Sequence, residues 1–412
     1  VEIMTVEQGA AGRIRGRSAR AARVAGAIVL LAAVACGRPT DPSVETDPGD
    51  IGDLAGGLWT ELPDPPLSER VDTGVVWAGD RLVAWGGATP GIGAAEPLLD
   101  GATWAPDAGW SPMAPAPVNG GLARGGFALW TGQDVVFGPV ASEAGDPAAS
   151  LLLAYAPVDE RWRSIPADPD LAAVLGEPAD GFRGVAAVVR DEIIVGAVGA
   201  AGTSGRLPGA LVAVDPATGR TRPLDPGPFD ASPYADLSGD VLVASAGDRL
   251  LAVPNWSAET WLLDPADGGS WTETSPPPVD GLHLGLPVWV DGEAFFPDDG
   301  VALDPSDDSW RPLAAAGDLA TLRLDGGGTV PLSAGDQIMT TQGVYDTGGD
   351  GWYELPPLSL GPEQVLLDPF VGWTGERLVV FGGGTYECPP NSACDIDPGS
   401  VDWNQRGWVY EP

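Results

Sequence analysis

Residues 408–412 read W-V-Y-E-P, and residues 58–63 read L-W-T-E-L-P. The first is a short apolar strand that ends in an acid–proline turn, and no tryptophan follows it. The second is a tryptophan with a proline beyond it, and no such strand end precedes it. Elsewhere the two pieces occur together. Of the strand ends A-T-W-A-P (102–106), L-A-Y-A-P (153–157), V-A-V-D-P (212–216), W-L-L-D-P (261–265), V-A-L-D-P (301–305) and G-V-Y-D-T (343–347), five lead to a tryptophan: Trp110, Trp162, Trp271, Trp310 and Trp352. In the third unit Thr221 stands in the tryptophan's place. Each end of the region supplies what the other lacks, so pairing them closes a ring. A linear solenoid has no need of such a match.

Two further strands fall between each tryptophan and the next strand end. They include G-V-V-W-A-G-D-R-L-V-A-W-G-G (74–87), F-A-L-W-T-G-Q-D-V-V-F-G (127–138) and F-V-G-W-T-G-E-R-L-V-V-F-G-G (370–383). Apolar runs split by a tight polar turn are a hairpin signal. The runs are nearly continuous, as strands buried on both faces require. Residues 58–412 therefore divide into seven units of four strands, about 51 residues each.

The double glycines (Gly86-Gly87 and Gly382-Gly383), the acid–proline turn and the tryptophan beyond it resemble the kelch repeat. The likeness covers nearly all of residues 58–412, though only the first and last units show the double glycine. It implies an all-β, seven-bladed propeller of four-stranded blades. The last blade takes its outermost strand from about residues 58–63. The first strand of each unit is innermost, the tryptophans pack between blades, and such propellers mostly serve as binding platforms. Galactose oxidase shares this fold, but its copper site needs several histidines. This chain has one, His283, so that chemistry is excluded, and no cofactor is expected.

The 412 residues carry a formal charge of −37, and every basic side chain except His283 is arginine. Without lysine, Schiff-base chemistry is ruled out. So negative a surface repels nucleic acid. Arg13, Arg15, Arg17, Arg20 and Arg23 precede an apolar run at 24–35, too short at twelve residues to span a bilayer of about 30 Å. This is a signal-peptide pattern. It ends in Ala33-Val34-Ala35-Cys36, which resembles a bacterial lipobox. The expectation is export, removal of residues 1–35 and lipidation of Cys36. A lipid anchor would then hold the protein at the outer face of the cytoplasmic membrane or the cell envelope. The other reading is plain cleavage and release. Residues 36–57, acidic and proline-rich, read as an extended tether.

Cys388 and Cys394 flank P-P-N-S-A and, outside the cytoplasm, are expected to form a local disulfide. The surrounding loop, 384–405, offers Tyr386 and Trp403 for recognition, and Asp395, Asp397 and Asp402 as weak calcium ligands whose spacing matches no known loop. No other metal site is expected. Aligning the units on their hairpins puts Arg124, Arg183 and His283 six residues before Trp130, Val189 and Trp289, with Arg70 seven before Trp77. On one rim of a central channel, such a ring suits a carboxylate or sulfate ligand. The alternative is that these arginines bond carbonyls between blades.

Three functions follow as expectations. The first is a non-catalytic, membrane-tethered platform for a protein or carbohydrate ligand. The second is a mutarotase- or lyase-like enzyme acting on carbohydrate through the channel-mouth arginines. The third is a structural envelope protein. The fold alone does not choose among them.

Overall fold

The computed structural model describes residues 56–91, 96–141, 150–176, 182, 184–197, 201–202, 205–206, 209–230, 241–254, 259–279, 285–314, 332–341, 343–358, 360, 364–387 and 401–412. The architecture is all-β, a β-propeller of four-stranded antiparallel sheets, seven of them among the described residues. The first sheet runs Gly74–Ala78, Arg81–Trp85, Gly101–Ala105, Gly109–Pro112. Five more repeat that order, starting at Leu122–Trp130, Gly184–Val189, Val241–Ala246, Val288–Val290 and Leu332–Ala334. The last sheet starts at Phe370–Trp373 and continues through Leu378–Phe381 and Gly407–Glu411. Its fourth strand is Leu58–Glu61, in the register Leu58↔Glu411 and Glu61↔Trp408.

Burial follows position in the sheet. Gly74–Ala78 and Leu378–Phe381 are buried along their whole length, while fourth strands such as Leu58–Glu61 and Ser270–Glu273 are largely exposed. Side chains on both faces of the inner strands meet a neighbouring sheet, which is why these stretches show no polar alternation. First strands lie side by side in sequence order from Gly74–Ala78 to Phe370–Trp373, and Phe370–Trp373 also lies beside Gly74–Ala78.

The recurring aspartate at the end of the third strand has a local cause. Asp215, Asp264, Asp304 and Asp346 each use Oδ1 to accept the backbone N–H two residues on, at 2.9, 2.9, 2.8 and 3.0 Å. This Asx turn reverses the chain, and the proline that usually follows presets φ for it. The tryptophans act between sheets. The indole N–H groups of Trp110, Trp162, Trp271, Trp310 and Trp59 donate to the carbonyls of Pro63, Ala114, Asp225, Ser275 and Pro356 at 2.7–2.8 Å. Each acceptor lies in the linker that leaves the preceding sheet.

The third sheet solves the same problem differently. Thr221 donates its hydroxyl to Asp168. Asp168 also caps the helix Pro169–Leu175, accepting the N–H groups of Asp170 and Leu171. Its carboxyl is held below the usual range by the Leu171 N–H first and the Thr221 hydroxyl second. Leu171, Val174 and Leu175 pack with Ile193, Val195 and Val212, so the helix fills this seam between sheets.

Candidate functional site: the channel mouth

In an antiparallel four-stranded sheet, the start of the first strand, the end of the second and the start of the third lie on one side. That side therefore gathers the linkers, both double glycines and the connection that follows Phe381. It is also where Arg70 and Arg124 sit, just before or within their first strands. On the opposite side, three of the described arginines pair with acids: Arg163 with Asp134 at 2.8 Å, Arg222 with Glu192 at 2.6 Å and Arg311 with Glu293 at 2.7 Å; on the mouth side Arg406 pairs with Glu61 at 2.7 Å.

Arg70 does not serve as a ligand arginine. It is 1% exposed. Its Nε donates to Ser68 O, its Nη1 to the carbonyls of Gly86 and Asp100, and its Nη2 to Ser68 Oγ and Asp100 Oδ2. A guanidinium has five N–H donors, and these five bonds use them all. The sequence expectation is corrected here: Arg70 clamps the linker to the ends of the second and third strands. Gln405, from the last sheet, donates Nε2 to Arg70 O and ties the first sheet to its neighbour.

Arg124 is exposed, and the backbone explains why. The ladder between Leu122–Trp130 and Val135–Ala141 shifts register between Leu122 and Phe127, so residues 123–126 bulge out of the sheet. The bulge touches both neighbouring sheets. Arg124 O accepts the Phe182 N–H at 2.8 Å, and the Gly125 N–H donates to the Asp72 carboxylate. Gly125 has φ +69°, and a Cβ there would press on Phe182 O.

Asp72 is half-buried, two residues before the first strand of its sheet. Asp368 stands two residues before the first strand of the adjacent sheet. Both have left-handed backbone, φ +54° and +49°. A double glycine packs against each. A Cβ on Gly87 would overlap Val71 O, and one on Gly383 would overlap Leu367 O. Only glycine allows that approach, so the motif holds these two aspartates in place. Burial pushes the Asp72 carboxyl above its usual range, while the Arg124 charge and the Gly125 N–H pull it part of the way back. Asp368 keeps a solvent-exposed face, yet desolvation by the protein around it raises its carboxyl, and the Asp72 charge adds to the rise. Like charges on neighbouring sheets each favour the protonated form of the other.

Sequence reasoning missed both aspartates. A signal was present: only the two units with a double glycine carry an aspartate at this point, in V-D-T (71–73) and L-D-P (367–369).

Tyr386 and Trp403 lie on the same side. Gly384–Glu387 and Asp402–Trp403 join Gln364–Leu367 in a three-stranded sheet whose first strand leads straight into Asp368. Both aromatic rings are half-buried and Asp402 is exposed. Among the described residues, no three or more His, Cys, Asp or Glu side chains gather where they could hold a metal. None of the described helices is long and apolar enough to cross a membrane. Cys36, Arg183, His283, Cys388, Cys394, Asp395 and Asp397 lie outside the described residues.

No protein-family model matches the chain, and no curated protein does. A solved structure titled "Structure of YjhT" is similar over 79% of this chain and 93% of its own, at 13% identity and a TM-score of 0.41.

Proposed function

We propose that this is a lipid-anchored, seven-bladed kelch-type propeller that binds a protein or carbohydrate ligand at its channel mouth, outside the cytoplasmic membrane. Seven four-stranded sheets, first strands that neighbour one another from Gly74–Ala78 round to Phe370–Trp373, and the pairing of Leu58–Glu61 with Gly407–Glu411 support the closed ring. The basic segment, the short apolar run and Cys36 support the anchor. The observation that carries the binding site is convergence. Asp72, Asp368 and the bulged Arg124 come from three adjacent sheets to one side, and the sheet bearing Tyr386 and Trp403 adjoins them. Polar groups of both signs beside aromatic rings, on a rigid scaffold, make a recognition surface.

One observation favours a second reading. Two carboxyls with raised proton affinity beside an arginine are the kind of pair that acid–base chemistry on a sugar uses. The test is an array of neutral and acidic glycans probed with the full-length protein in detergent, alongside Arg124→Glu. A ligand bound by the parent and lost in the variant supports the mouth as the site. Product formation from that ligand would promote the enzyme. An array hit that ignores Arg124→Glu would remove the mouth from consideration.

A further inference from the structure

We propose that Asn119 and Gly120 form a self-modifying site, where the asparagine side chain closes on the next backbone nitrogen and converts to aspartate and isoaspartate. The proposal stands independently of the ligand site and of the lipid anchor.

The sequence narrows the choice to one position. The chain has four asparagines, Asn119, Asn255, Asn391 and Asn404, and only Asn119 precedes a glycine. Ring closure needs the nitrogen of the following residue to reach the asparagine Cγ. A Cβ on that residue crowds the approach, and glycine has none.

The fold explains why the glycine is there. Residues 113–121 link Gly109–Pro112, the fourth strand of the first sheet, to Leu122–Trp130 in the second. Gly120 is buried against the end of Val135–Ala141: a Cβ on it would lie 2.3 Å from Ala141 O and 2.5 Å from Ala141 Cβ. Close packing of the two sheets therefore requires glycine at the position that makes the asparagine labile. Asn119 itself is exposed. Among the described residues, neither its side chain nor the Gly120 N–H has a hydrogen-bond partner. Asn404 is the opposite case. Its Nδ2 donates to Thr385 Oγ1 at 3.3 Å and to Asp402 O at 3.2 Å, its Oδ1 accepts the Arg406 N–H at 3.1 Å, and glutamine follows it.

The chemistry needs only water. The Gly120 nitrogen attacks Asn119 Cγ and gives up its proton, the bond from Cγ to the side-chain nitrogen breaks, and ammonia leaves. Water then opens the five-membered ring. Attack at Cγ gives aspartate. Attack at the main-chain carbonyl gives isoaspartate, whose backbone runs through the former side chain and is longer by one carbon. Either product adds a negative charge to the linker. The longer backbone falls between two fixed points: Val118 packs into the seam between the first and second sheets, and Gly121 O accepts the Ala141 N–H at 3.1 Å.

The test holds the full-length protein, in detergent, in warm and mildly alkaline buffer, and then digests it after arginine. The fragment between Arg81 and Arg124 contains Asn119 as its only asparagine and no glutamine. It should gain about one dalton, ahead of the fragments that carry the other asparagines, and split into two isomers, one of them a substrate for isoaspartyl methyltransferase. Asp100-Gly101 lies in the same fragment, but it isomerises without a change in mass, so the mass gain reads Asn119 alone. Asn119→Gln, whose side chain would have to close a six-membered ring, should abolish the gain. A gain in urea-unfolded protein but not in folded protein would show that the packing of Gly120 locks the bond, and would overturn the proposal. A gain at Asn404 that keeps pace with Asn119 would overturn it too.

Discussion

Thr221 hydrogen-bonds Asp168 at the seam where other sheets place an indole N–H against a linker carbonyl. One carboxylate thus serves two elements, capping the helix Pro169–Leu175 and anchoring the outer strand Thr221–Leu224. Asp168→Ala removes both at once. The expected loss is about 1–2 kcal/mol in denaturant unfolding, typical of a cap plus one hydrogen bond. A change near zero would mean that helix packing alone holds the seam.

Trp162 shows what that seam normally contains. Its ring lies 4.8 Å from Tyr155 and 5.3 Å from Trp85, and its N–H reaches Ala114 O. Trp162→Phe keeps an aromatic ring and deletes the bond, for an expected cost of about 1 kcal/mol. Trp162→Ala also empties the packing site and should cost about 3–5 kcal/mol. Equal costs for the two would show that the hydrogen bond dominates.

Arg70 predicts stability rather than affinity. A lysine has three donors on one nitrogen and cannot reach Ser68, Gly86 and Asp100 together. Arg70→Lys should cost about 2–3 kcal/mol through carbonyls left unpaired in the interior. Ligand affinity, measured below the melting temperature, should change little.

The aspartate pair makes stability depend on pH in a definite direction. Asp368 holds its proton more tightly folded than unfolded, because of desolvation and the charge of Asp72. Folded protein therefore binds more protons between the unfolded and folded pKa values, and stability falls as pH rises through that window. Asp368→Asn should raise the melting temperature at neutral pH. Below the ordinary carboxylate range, about pH 3.9 for aspartate, parent and variant should converge. A variant less stable than the parent at neutral pH would mean that the carboxylate is a net stabiliser.

Cys36 carries the membrane expectation. Cys36→Ser should move the protein from the membrane fraction into the medium, and mass analysis of the parent's amino-terminal peptide should show a diacylglyceryl adduct. A parent whose amino-terminal peptide has no added mass would end the anchor reading.

Much of the architecture was legible because its signals are local. Hairpin turns, the aspartate–proline reversal and the tryptophan after it act within a few residues, and all three recur. The match between Leu58–Glu61 and Gly407–Glu411 was legible because each segment is an incomplete unit. The site was not. Arg70 and Arg124 look alike in an alignment of units, yet one bonds carbonyls 16 and 30 residues away and the other rides a bulge into solvent. Asp72 and Asp368 stand out among the 58 acids in sequence only by preceding the first strand in the two double-glycine units, and it is the fold that sets them on adjacent sheets. The helix at 169–175 carries a start signal, Asp168-Pro169, but its seven residues are too few to show a helical period.

The union of Leu58–Glu61 with Gly407–Glu411 also governs the order of assembly. Gly57 N–H reaches the Tyr410 hydroxyl across 353 positions, so among the described residues the last sheet joins segments from opposite ends. A strand made early must wait, unpaired, for a partner made much later in the sequence. Contacts of such high sequence separation are slow to form and rewarded late. The remaining sheets can grow from neighbouring residues as synthesis proceeds. A chain cut short by a few residues at Gly407–Glu411 would therefore fail at both ends, leaving two bare strand edges open to other chains.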